Sequence, residues 1–168
     1  MGKYHKILFL DIDGVLNSDR FYKKTLGRQG NLDTEAIQLL NQLKDIDVEV
    51  VISSSWGEDG IKQLKNVGLE LPILGCTEHF HVEWLCRGNE IEKWLCLNFG
   101  GMATKYGYDE YGVAYWRKYA DEDYEYAIFD DDSDFLLGQA DNFVRVNRET
   151  GLTQEDINKA IKILNREN

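Results

Sequence analysis

Apolar and polar positions fall into short runs of two kinds. Ile7-Leu8-Phe9-Leu10 is an unbroken apolar run bounded by polar residues, the pattern of a strand buried on both faces of a parallel sheet. Val48–Ile52 is apolar and β-branched and predicts a second strand. Residues 71–76, 125–129 and 142–146 predict three more. Between these runs the spacing turns helical. Ile37, Leu40 and Leu43 predict a helix from an Asn31 or Asp33 start to about Asp45. The next covers 59–67 and stops at Gly68, a C-cap signal. A third opens at Arg87 and places Ile91, Trp94, Leu95 and Asn98 on one face. The last starts at Thr153-Gln-Glu-Asp156, a capping pattern, and buries Ile157, Ala160, Ile161 and Leu164. Strands alternating with helices predict an α/β fold around a mainly parallel sheet.

Two stretches break this alternation. Residues 18–31 hold mixed charge and two glycines but no helical stripe, and read as a loop or small hairpin. Residues 100–124 carry six tyrosines and one tryptophan among glycines and charges, and read as an insertion or substrate loop. Its aromatics beside Lys105, Arg117 and Lys118 suit stacking on bases and contact with phosphates; packing of a long loop onto the domain explains them equally well.

Composition narrows the class. The 168 residues, 43% hydrophobic and 29% charged, fit one soluble globular domain spanning 1–168. A formal net charge of −11 argues against non-specific binding to a polyanion, a local basic patch apart. No stretch approaches the ~20 apolar residues of a membrane span. Three cysteines and no signal-peptide pattern point to a reducing, cytoplasmic setting. Nothing in the sequence points to an oligomeric state.

The chemistry gathers where the strands end. Asp11 and Asp13 follow the first strand, two apart, and in an extended chain they face the same side. Such a pair repels itself, and a hard cation such as Mg²⁺, which takes oxygen ligands, relieves the repulsion. Gly14 then permits a sharp turn. The second strand runs into Ser53-Ser54-Ser55-Trp56, and the fourth into Asp130-Asp131-Asp132-Ser133-Asp134. Four acids crowded there also repel unless a cation is present. Cys76, His79, His81 and Cys86 are zinc-type ligands, but their spacing matches no common zinc pattern.

The run Phe9-Leu10-Asp11-Ile12-Asp13-Gly14-Val15-Leu16-Asn17 resembles motif I of the haloacid dehalogenase (HAD) superfamily phosphatases. The resemblance extends in order to Asp134 and implies a three-layer Rossmann-like fold with no large cap domain. It implies that Asp11 is the nucleophile forming an aspartyl-phosphate and that Asp13 is the general acid and base. Ser53, with Ser54 next, takes the place of the motif II hydroxyl that binds a phosphoryl oxygen. Arg87, with Lys93 as runner-up, takes the place of the motif III cation. Asp11, the backbone carbonyl of Asp13, Asp130 and Asp131 would hold Mg²⁺, with Asp134 acting directly or through water. Ser54 and Gly14 would line the substrate side.

The wording of the motifs, Ile52-Ser-Ser-Ser-Trp56 and Phe129-Asp-Asp-Asp-Ser-Asp-Phe135 included, is similar to the HAD domains of Swiss-army-knife RNA repair proteins. That resemblance implies a phosphorylated substrate such as an RNA or DNA end. Gly57 stands where that subfamily often carries arginine. A small phosphomonoester, with the aromatic stretch as a partial lid, is the runner-up; a catalytically silent acidic binding module is the reading from another class. A receiver-type signalling domain would place its phosphoacceptor after the third strand, an order this chain does not follow.

Overall fold

The computed structural model describes residues 4–26, 31–79, 85–100, 106–108, 114–116 and 122–166, with 106–108 and 114–116 described by backbone alone. Five strands form one sheet, and every pairing is parallel. The central strand β1 (Tyr4–Leu10) contains the apolar run, and Ile7, Leu8, Phe9 and Leu10 are completely buried. Its neighbours are β2 (Val48–Ile52) and β6 (Asp123–Asp130); β3 (Ile73–Cys76) and β7 (Phe143–Arg145) form the edges.

Successive β1 side chains serve opposite faces. Leu8 and Leu10 pack with Ile37 and Leu40 of α2 (Thr34–Asn41), Leu64 of α3 (Gly57–Asn66), and Ile157 and Ala160 of α5 (Gln154–Leu164). Ile7 and Phe9 face Ile91 and Leu95 of α4 (Arg87–Asn98), with Trp94 meeting Phe9 edge-on at 5.5 Å. The result is three layers, as the resemblance implies. Thr153 caps α5 as its sequence predicts: its backbone N–H donates to Asp156, and Asp156 N–H donates back to its hydroxyl.

Residues 18–31 depart from the expected loop, because a short helix α1 (Asp19–Lys24) begins at Ser18. Ser18 accepts the Phe21 N–H, Asp19 lies in the first turn, and Lys23 and Lys24 lie in the last, all favourable to the helix dipole. None of its residues is buried, so the hydrophobic period that announces a helix is missing. Backbone bonds from Asp19 and Arg20 to the carbonyls of Arg148 and Glu149 moor it to the loop after β7. Within the aromatic stretch, β4 (Tyr106–Tyr108) and β5 (Ala114–Trp116) pair antiparallel. Lys105, Arg117 and Lys118 lie outside the described residues. Only α1, α2 and a 3₁₀ turn separate β1 from β2 among the described residues, which leaves no room for a large cap.

Candidate active site

The site is laid out by the sheet. Asp11 N–H donates to Phe129 O at 2.9 Å, Ser53 N–H to Leu10 O at 2.8 Å, Thr77 N–H to Ile52 O at 2.8 Å and Val146 N–H to Asp130 O at 2.9 Å. Each strand pairing therefore continues one step past the strand. Asp130, Asp11, Ser53 and Thr77 form a row along the carboxyl edge, where ligands bind in open α/β sheets.

Three carboxylates meet in this row. Ligand oxygens of Asp11, Asp130 and Asp131 all lie within 4.8 Å of one another. Asp11 and Asp130 are buried, and both carboxyls are pushed above the usual carboxylate range. Burial is the main cause for each; the Asp11 charge raises Asp130 further. Against this, the Ile12 backbone N–H, the Ser54 side chain and Arg87 pull Asp11 down, in that order. A compact set of hard oxygen donors fits a divalent cation of the Mg²⁺ type. Gly14 is required beside it: φ is +80°, and an added Cβ would lie 2.5 Å from Asp131 Cγ. Its N–H donates to Asn17 Oδ1 at 2.8 Å.

Asp13 stands apart from this group. Asn17 Nδ2 donates to its Oδ1 at 2.7 Å and Trp56 Nε1 to its Oδ2 at 2.8 Å, so both oxygens are held. The expectation of two side chains jointly facing one cation thus gives way to a division. After Leu10 the chain leaves the strand for a turn, and alternation no longer applies. The two serines divide as well. The Ser54 side chain helps to lower the Asp11 carboxyl, whereas the buried Ser53 Oγ has no hydrogen-bond partner among the described residues.

Arg87 reaches the site from the start of α4, where its charge lowers the carboxyls of both Asp11 and Asp130. Its Nη1 bonds Glu90 Oε2 at 2.6 Å, and the other oxygen of this buried carboxylate lies 3.0 Å from His79 Nδ1. Asp134 does not join the three-carboxylate group; its Oδ2 accepts the Arg87 N–H at 3.0 Å and so docks α4. Gly88 permits that docking, since a Cβ there would lie 2.5 Å from Leu136 N. Lys93, roughly a turn and a half further along α4, bonds Glu78 instead. Cys86 bonds Asn89 at the start of α4, Cys76 contacts Glu58, and His81 lies outside the described residues.

Sequence reasoning missed Glu90 and Arg148. Glu90 was legible in part, as an acid three residues after Arg87 on a helix otherwise apolar on that side. Arg148, whose Nη1 donates to Asp131 Oδ2 at 2.8 Å, left no signal, because only the fold brings its loop to the site.

No curated protein and no solved structure gives a significant match. The family model described as the HAD domain in Swiss Army Knife RNA repair proteins matches residues 7–157. That span holds every strand end described above, and the chain belongs to this family, whose HAD fold implies phosphohydrolase chemistry.

Proposed function

We propose that the chain is a Mg²⁺-dependent phosphohydrolase with Asp11 as nucleophile and Asp13 as general acid and base. The observation that carries this reading is the buried Asp11 carboxylate at the end of the central strand, grouped with Asp130 and Asp131. An Asp11 oxygen attacks phosphorus in line; the bond to the leaving oxygen breaks, and Asp13 gives that oxygen its proton. Water then attacks the aspartyl-phosphate, Asp13 takes the proton, and inorganic phosphate leaves with Asp11 restored.

Arg87 offsets negative charge beside Asp11, and the Ser53 hydroxyl, without a partner among the described residues, is available to donate to a phosphoryl oxygen. Ser54 and Gly14 act through the carboxylates they touch. Asp11, Asp130 and Asp131, with the Asp13 carbonyl, would hold Mg²⁺, which when bound neutralises charge on the phosphoryl group. The substrate we propose is a terminal phosphate of RNA or DNA. The family's description supports this, as does the lack of a large cap, which leaves room for a bulky leaving group.

The test is phosphate release from a generic aryl phosphate with and without Mg²⁺, beside Asp11→Asn. Metal-dependent turnover that falls by ~10⁴-fold or more in the variant is expected for a lost nucleophile. Folded, metal-bound protein that hydrolyses neither the aryl phosphate nor a phosphorylated oligonucleotide would move the chain to the binding-module reading.

A further inference from the structure

Arg148 ties the site to an open cleft. Its guanidinium bonds Asp131 at 2.8 Å and lies 3.6 Å from Asp19, and its charge is felt at Asp13 and Tyr22. It therefore joins the carboxylate group to the first turn of α1. The cleft, about 400 Å³, is lined by Asp131, Arg145, Val146, Asn147 and Arg148, so a member of the carboxylate group forms part of its wall. A second cleft of about 310 Å³ shares Asn147 and is lined by Arg20 and Lys23 together with Glu149, which lies 3.7 Å from Lys23. Arg145, Arg148, Arg20 and Lys23 thus line two adjoining clefts in a chain whose formal net charge is −11, with Arg148 and Lys23 each paired to an acid.

We infer that this path, through Arg145 and Arg148 towards Arg20 and Lys23, receives the phosphodiester backbone of a polynucleotide whose terminal phosphate lies at Asp11. The inference rests on the phosphohydrolase reading and names the part of the substrate that the reaction does not touch. Arginine suits the task, since its planar fork of five N–H donors can bond one carboxylate and still meet a phosphate. On a molecule of net negative charge, a path lined by basic side chains draws a polyanion towards it.

The experiment compares kcat/KM for a 3′-phosphorylated hexaribonucleotide with that for the matching 3′-mononucleotide, which has the same terminal group and no chain. Wild-type protein should favour the oligonucleotide at least tenfold. Arg145→Ala and Arg148→Ala should each lower that preference several-fold, Arg148→Lys less, and higher salt should shrink it. A wild-type preference near one, or equal losses on both substrates in the variants, overturns the inference and leaves Arg148 as a partner of Asp131 alone. Fluorescence anisotropy of the labelled hexamer on the Asp11→Asn protein separates this from a failure of the chemistry. Binding lost in Arg145→Ala/Arg148→Ala upholds the path even if no phosphate is released, and absence of binding overturns it.

Discussion

The two ends of the sheet treat their acids in opposite ways. At the amino end, the buried His5 ring sits between Glu49 and Glu122, bonding one with each nitrogen, and Phe99 packs edge-on against it at 5.4 Å. Each of those carboxylates faces a nitrogen that can share a proton with it. At the carboxyl end, Asp11 and Asp130 are buried beside each other and beside Asp131, and their mutual charge raises the proton affinity of Asp130. The first arrangement holds strands together. The second is held in spite of its electrostatics, and such groups are candidates for function. Burial alone would not have told them apart; the partners do.

Neutralising one acid at each end should therefore give opposite results. Asp130→Asn keeps the acceptor for the Asp132 N–H and removes the charge. We expect phosphatase activity to fall by ~10²-fold or more and the metal-induced rise in melting temperature to disappear. The metal-free variant should nevertheless melt a few degrees higher than wild type at pH 8, since an unfavourable buried charge is gone. Glu49→Gln should lower the melting temperature instead, by the equivalent of roughly 1.5–3 kcal/mol for a charged hydrogen bond, with activity within about twofold. Thermal melts with and without Mg²⁺ check both. The same sign for both substitutions in metal-free protein would dissolve the contrast.

The contrast also has a pH dependence. The carboxyls of Asp11 and Asp130 are raised from 3.8 to about 6 and about 8 in the metal-free protein. Between 3.8 and those values the folded state binds more protons than the unfolded chain, so metal-free stability from these groups falls as pH rises. Metal binding requires the deprotonated forms and must run the other way. Calorimetric titration should show Mg²⁺ affinity rising at least tenfold from pH 6 to pH 8. A flat profile would mean that protons do not compete for these oxygens.

How much of this was legible in the sequence follows from which forces were local. Ile7–Leu10, Val48–Ile52 and the capped helices could be placed because alternation, β-branching and capping act within a few residues. Helix α1 escaped because it buries nothing, and caps and charges alone leave no period. In the site, Asp11, Ser53, Asp130 and Asp131 could be named because the strand ends of an α/β sheet share one edge and because their wording there resembles the HAD motifs. The partner of each oxygen could not. Trp56 comes to Asp13 across 43 residues and Arg148 to Asp131 across 17, and only tertiary packing sets those pairings.

Glu90 sharpens the comparison, because it lies at the carboxyl end yet is partnered like the acids at the other. Its two oxygens face Arg87 and His79, and burial leaves it 4% exposed. In the proposed reaction its work would be to fix Arg87, which it bonds at 2.6 Å, a positioning role. Glu90→Gln preserves the shape and removes the charge that anchors the guanidinium. Since a small misplacement of a charge-stabilising group is costly, kcat should fall by roughly five- to tenfold while KM moves little. The metal-free protein should also melt lower, opposite to Asp130→Asn, because Arg87 loses a partner. Steady-state kinetics and the melt together decide the case. A higher melting temperature would place Glu90 with the uncompensated acids of the site, and an unchanged kcat would show that Arg87 does not need it.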